Sequence, residues 1–212
     1  MATITLEDHG PPIVHILGGT LRRAAAQPKL AKRMDKMRGR VALKSTTDPQ
    51  AATISFDKGT IHVTHGVAPD ADVVISADLN TMGRPGAPKP KVKGAARHLG
   101  FALGVSKVLD PPTPGGWVGA VEEFWPRAAS EPGRPDLLRV VCTDDGKEIT
   151  VGQAGGTTVE LHGPAWALLA VFTGGDHLAA AVLEQRVQIV ADTPALSRFV
   201  GVITRLMLGE LA

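Results

Sequence analysis

The chain has 212 residues, enough for one large domain or two small ones. Hydrophobic residues make up 43% of it but aromatics only 4%, with no Tyr, so any core must be filled by Ala, Val, Leu and Ile. The single cysteine excludes an intrachain disulfide, and the net charge of +2 hides an asymmetry. Residues 1–110 hold 16 Lys/Arg against 9 Asp/Glu, whereas 111–212 hold 7 against 12. Such a split fits an anionic partner for the first half, or two oppositely charged halves packed together.

In chain order, the opening "MATITLEDHGPP" has no basic region leading into an apolar one, so a secretory leader is not expected and a cytoplasmic location is. Helical spacing follows from about Ile13 to Met37, broken or kinked near Pro28. "RVALKST", "ATISF", "TIHVT" and "DVVISA" read as strands, with "FDKGT" as a short Gly-containing hairpin turn. A Pro-rich loop leads into "KVKGAARHLGFALGVSKVL", a short strand and a helix. "LDPPTPGG", residues 109–116, is the best linker candidate.

Beyond it, Trp117, Val118, Val121, Phe124 and Trp125 fall on one face of a helix. "LLRVVCT", the turn "DDGK", "EITVG" and "TTVELHG" give further strands. Helices are expected from about Ala165 to Phe172 and around Leu178–Leu183, then the strand "RVQIVAD". The closing helix "TPALSRFVGVITRLML" has Thr193 placed as N-cap and Pro194 at N1, where its missing N–H costs nothing.

The two halves superpose on paper. Val73, Ile75 and Ala77 match Val159, Leu161 and Gly163 at an offset of 86. Val92, Leu99, Val105 and Leu109 match Ile189, Leu196, Val202 and Leu206 at an offset of 97. The difference falls where the second half has its middle helices and the first has "MGRPGAPKPK", which three prolines and two glycines keep from being a regular helix.

In the second half, the hairpin on "DDGK", the strand "TTVELHG", the helix "PAWALLAVFTGG", the short helix "HLAAAVLEQ", the strand "VQIVAD" and the apolar closing helix occur in an order that resembles the sterol carrier protein 2 (SCP2-like) family. The first half resembles it through "FDKGTIHVT", "DVVISADLNTM" and "VKGAARHLGFALG". Gln185 and Arg186 depart from the Gly-Lys turn common in that family. The resemblance implies an α+β fold, a twisted, mainly antiparallel sheet covered by helices, here duplicated as units at 1–110 and 117–212. It also implies non-catalytic binding or carriage of a lipid, a fatty acyl chain, sterol or similar apolar molecule, between sheet and helices, with no cofactor.

On that reading Trp166, Leu169, Phe172, Leu178, Val182, Phe199, Val202, Ile203 and Leu206 line the apolar cavity. A packed core gives the same pattern, and the Ala-rich "HLAAAVL" tilts toward a cavity only because it supplies little bulk. From Thr20 to Lys44 nine basic residues stand against Asp35 alone. Arg22, Arg23, Lys32, Arg33 and Lys36 are therefore candidates for contact with an anionic membrane, or else a solvated helix face. Lys89, Lys91 and Lys93 extend that face, meet a headgroup, or form a plain exposed loop. Nucleic acid is not expected, since no aromatic residue is interleaved with the basic ones. The sparsely charged end of the closing helix docks on the sheet, moves to admit ligand, or joins a second copy in a homo-oligomer.

No metal is expected, because His62 and His65 fall on opposite faces of a strand and His162, His177 and Asp176 read as surface loop residues. Cys142 reads as a buried, inert thiol, and Asp144 and Asp145 as turn chemistry rather than a catalytic pair. The competing reading is an oligomerisation or accessory module organising a partner enzyme of lipid metabolism, with a filled interior and an exposed apolar patch.

Overall fold

Alternation and helical spacing become two separate sheets, each with its own helices, in a computed structural model that describes residues 2–110 and 115–211. The chain divides into a unit at Met1–Pro112 and a unit at Thr113–Ala212. Pro111, Pro112, Thr113 and Pro114 of the linker candidate lie outside the described residues.

The first unit contains β1 (Thr3–Leu6), α1 (Pro12–Ala26), α2 (Pro28–Met34), β2 (Arg38–Ser45), β3 (Ala51–Asp57), β4 (Thr60–His65), β5 (Val73–Ala77), β6 (Lys91–Lys93) and α3 (Leu99–Leu109). Its six strands run β1-β4-β3-β2-β5-β6. The helical break is where Pro28 predicts it: Gln27 is extended and Pro28 opens α2 in the position a helix tolerates. The β3–β4 hairpin closes on Lys58 and Gly59, both at positive φ, with Asp57 paired to Thr60. That is the twist a two-residue hairpin needs, with Lys in a site that usually takes Asn or Gly.

The second unit contains α4 (Gly116–Arg127), a 3-10 turn (Ala128–Ser130), β7 (Leu137–Cys142), β8 (Glu148–Gly152), β9 (Thr158–Gly163), α5 (Ala165–Phe172), α6 (Leu178–Leu183), β10 (Gln188–Val190) and α7 (Thr193–Met207). Its four strands run β10-β9-β7-β8. The fold is α+β in both units.

The offsets read from the sequence recur in the strand ladders. Val41 pairs with Ile54 and Val73, and Leu138, 97 residues on, pairs with Val151 and Val159. Ile75 pairs with Val92, as Leu161 does with Ile189. Each unit thus shares a four-strand pattern, one central strand antiparallel to its hairpin partner and parallel to the next, which is consistent with a duplicated unit. The first unit adds β4 and β1 at one edge. The second inserts α5 and α6 between the last two strands.

Three details differ from the sequence reading. β1 was not anticipated: "TITL" is too short to declare itself, and its partner in parallel pairing is β4, some 57 residues away. The cap of α7 is Asp192, not Thr193; its carboxylate accepts from the Ala195 amide at 2.6 Å, and the helix begins at Thr193. Asp192→Ala should therefore lower the stability of the second unit by about 1 kcal/mol, read as a drop in thermal midpoint, while Thr193→Ala should be nearly neutral. His162 is not a loop residue but lies half-buried within β9, its ring bonding Glu160, whereas Asp176 and His177 do fall in the loop before α6, half-buried rather than on the surface, with the His177 ring 3.2 Å from Thr204 Oγ1.

Candidate functional site

The helix α5 is apolar all round and packed on most of its faces, with Ala167, Leu168, Val171 and Phe172 buried and its other four residues half-buried. It is covered here by α4, α6, α7 and β9. Trp166, Leu169 and Phe172 come from α5, Leu178 and Val182 from α6, and Phe199, Val202, Ile203 and Leu206 from α7. The structure brings all nine into one body of apolar side chains. Phe172, Leu178, Phe199, Val202, Ile203 and Leu206 are buried, and Trp166, Leu169 and Val182 are partly buried against them. Phe124 of α4 stands at the centre, its ring centroid 5.4 Å from that of Phe172 and 6.1 Å, edge to face, from that of Phe199. These are the spacings of rings in direct contact. Among the described residues a surface hollow is lined by Gly115, Gly119, Glu122, Glu123, Pro126 and Arg127 on the polar side of α4, and none of the nine borders it.

At one margin of this apolar body sits a charged group that pattern reading noticed only as a departure at Gln185 and Arg186. Gln185 adopts φ 58°, the left-handed region where glycine is at ease, and the turn carries Arg186 inward. The Arg186 side chain is only 10% exposed. Its Nε donates to Glu184 at 2.9 Å, Nη1 donates to Asp176, and the guanidinium lies 5.9 Å from the Trp166 ring centroid. Nη2 is buried without a hydrogen-bond partner. Burial pulls the guanidinium pKa down, but the hydrogen bonds it donates to Asp176 and Glu184, with their negative charges, outweigh that and leave it raised. Asp176 in turn accepts from the His177 amide at 2.8 Å, so it also fixes the start of α6. The signal available in sequence was an acid at 176 and a base at 186 flanking an apolar helix, too common to single out.

On the sheet face away from the helices, Arg139 of β7 bridges Glu148 at 2.5 Å and Glu160 at 3.2 Å, and Glu160 also meets His162. The hydrogen bond with His162, joined by the charge of Arg139, holds the Glu160 carboxyl below its usual range. These are cross-strand charge pairs. Among the described residues no three His, Cys or acidic side chains converge as metal ligands. Cys142 is buried in β7. Asp145 accepts from the Lys147 amide in the turn, while Asp144 reaches across to accept from the Ala165 amide at 2.8 Å, capping α5 from a distant hairpin.

The basic candidates of the first unit divide between two helices. Arg22 and Arg23 are half-buried in α1, and Arg23 donates to Thr20 Oγ1 at 3.1 Å. Lys32 is exposed and Arg33 half-buried on α2, and exposed Lys36 follows it. Lys29, Lys32, Arg33 and Lys36 fall at helical spacing opposite the buried Leu30 and Met34, so they form one stripe. No helix among the described residues is long and apolar enough to cross a membrane.

Residues 19–89 match the sequence model of the SCP-2 sterol transfer family. The matched stretch lies in the first unit, whereas the resemblance read from the residues rests mainly on the second. No curated protein matches the chain. Among solved structures, one described as a UbiJ-SCP2 ubiquinone synthesis protein is similar at 17% identity, over 47% of this chain and 95% of that one, with a TM-score of 0.34. A crystal structure of sterol carrier protein 2 is similar at 18% identity, over 43% of this chain and 88% of that one, with a TM-score of 0.30.

Proposed function

We propose that this is a non-catalytic, cytoplasmic lipid-binding protein made of two sterol-carrier-like units, which takes up an apolar molecule between sheet and helices. The observation that carries the reading is the family match over residues 19–89. The second unit supplies the apolar walls, nine side chains on α5, α6 and α7. Six of them are buried and the other three pack against these, so a chain enters by parting helices. α6 is the element to move: it has six residues, roughly two turns short of the length at which a helix stands alone, and three of the six are Ala, which fill little volume. Each methylene taken from water contributes about 0.8 kcal/mol, so a dozen are enough to offset such a displacement. The Arg186 cluster stands where a polar headgroup would stop.

Purified protein, measured by native mass spectrometry and then extracted under denaturing conditions, should release lipid. It should also bind a fluorescent fatty acid that unlabelled lipid displaces. Intact mass equal to the bare chain, together with no fatty-acid binding, would remove the carrier reading. A second reading, an accessory module for a partner enzyme or a homo-oligomer, is favoured by one observation: the interior is filled while Val92, Leu99 and Leu103 of the first unit are exposed. It calls for a concentration-dependent or partner-dependent assembly and no released lipid.

A further inference from the structure

The two units treat equivalent apolar positions differently. In the second unit Ile189 of β10 and Val200 of α7 are partly buried against the core, and Leu196 of α7 is half-buried. The inserted helices α5 and α6 both touch α7. At the same offset of 97, the first unit has Val92, Leu99 and Leu103, which are 47%, 62% and 55% exposed. The first unit has no helices between β5 and β6, only the Pro- and Gly-rich stretch that follows Asp78, so nothing of its own covers this flank. Leu99 and Leu103 are one helical turn apart on α3, and Val92 shares the sheet face of Ile75, its cross-strand partner.

The segment that forms the flank is basic, and the acid nearest it, Asp72 just before β5, lies 3.7 Å from His98. Residues 79–109 contain Arg84, Lys89, Lys91, Lys93, Arg97 and Lys107 and no Asp or Glu. Lys89, Lys91, Lys93, Arg97 and Lys107 are all exposed. β6 is the edge strand of its sheet, and Lys91 and Lys93 on it discourage another strand from pairing there. Buried protein–protein interfaces are depleted in Lys, whereas a negatively charged bilayer surface attracts Lys beside shallow apolar groups.

We infer that the β6–α3 flank of the first unit, with Val92, Leu99 and Leu103 set among Lys89, Lys91, Lys93 and Arg97, is a docking surface for a membrane rich in anionic lipid. The proposal deepens the carrier reading, since it names the donor or acceptor surface, but its evidence is separate. It also shifts the contact away from the α2 stripe toward the opposite end of the unit's sequence.

The test is co-sedimentation of the full-length protein with phosphatidylcholine vesicles, with and without phosphatidylserine. Binding should require phosphatidylserine and weaken as salt rises. Lys91→Gln with Lys93→Gln should weaken it roughly thirty-fold, at about one order of magnitude per 1.4 kcal/mol and about 1 kcal/mol per lysine. Leu99→Glu with Leu103→Glu should abolish it, and Lys29→Gln with Lys32→Gln should leave it nearly unchanged. All six positions except Lys29 and Lys32 lie off the helix that carries the latter pair, every one is exposed, and circular dichroism checks that each variant is folded. Absence of binding to anionic vesicles, or loss in the α2 variant alone, overturns the proposal. So does a dimer that the Leu99→Glu, Leu103→Glu variant dissociates while vesicle binding persists. Lipid extracted from the same preparations reports separately on the carrier reading, because a docking failure leaves co-purified lipid in place.

Discussion

Phe124→Ala is expected to destabilise the second unit by about 3–5 kcal/mol, the cost of deleting a fully buried ring from a close-packed core. The ring touches Phe172 of α5 and Phe199 of α7, so its loss opens a space that three helices would have to close together. Urea unfolding followed by tryptophan fluorescence isolates this unit, because all three tryptophans, Trp117, Trp125 and Trp166, belong to it. A midpoint shift worth less than about 1 kcal/mol would mean that the three rings do not support one another. Added fatty acid should recover part of the loss, since a chain occupying the vacated space restores the contacts.

Asp176→Ala should cost the same unit about 3 kcal/mol, at the lower end of what is lost when one partner of a buried ion pair is removed. Asp176 and Arg186 have side chains only 19% and 10% exposed, so water cannot replace the missing carboxylate. Glu184 remains on Nε, which keeps the cost from the upper end. The contrast is Lys147 with Asp145 in the β7–β8 turn, 73% and 41% exposed, where Asp145→Ala should change stability by less than about 1 kcal/mol. Equal effects at the two sites would show that Arg186 is solvated in solution. Removing both charges, Asp176→Leu with Arg186→Leu, should restore much of the stability lost by the single change, because no uncompensated charge is left behind.

The location of the elements was legible because each is a local pattern. Pro28 breaks a helix wherever it stands, alternation in "ATISF" and "TIHVT" reports a half-buried sheet, and the offsets of 86 and 97 survive as ladder register because pairing acts on the same alternating side chains. The capping of α7 was misplaced by one residue since Thr193 and Asp192 are both competent caps and only backbone geometry chooses between them. Asp144 looked like a turn residue and is one, yet its carboxylate also serves a helix more than twenty residues away, which no local window contains.

By itself the sequence determined the α+β composition, the order and kind of nearly every element, the similar plan of the two halves and the concentration of basic residues in the first. Tertiary structure alone decided that "TITL" joins a sheet, that Arg186 is buried rather than solvated, that the nine apolar side chains of the second unit close on one another, and that Leu99 and Leu103 face water while their counterparts in α7 do not. The division has one physical cause. Backbone periodicity is set by neighbours along the chain, whereas burial is set by whatever else arrives on the same face, and the lack of two helices between β5 and β6 is felt at Val92, Leu99 and Leu103, whose own local pattern is unchanged.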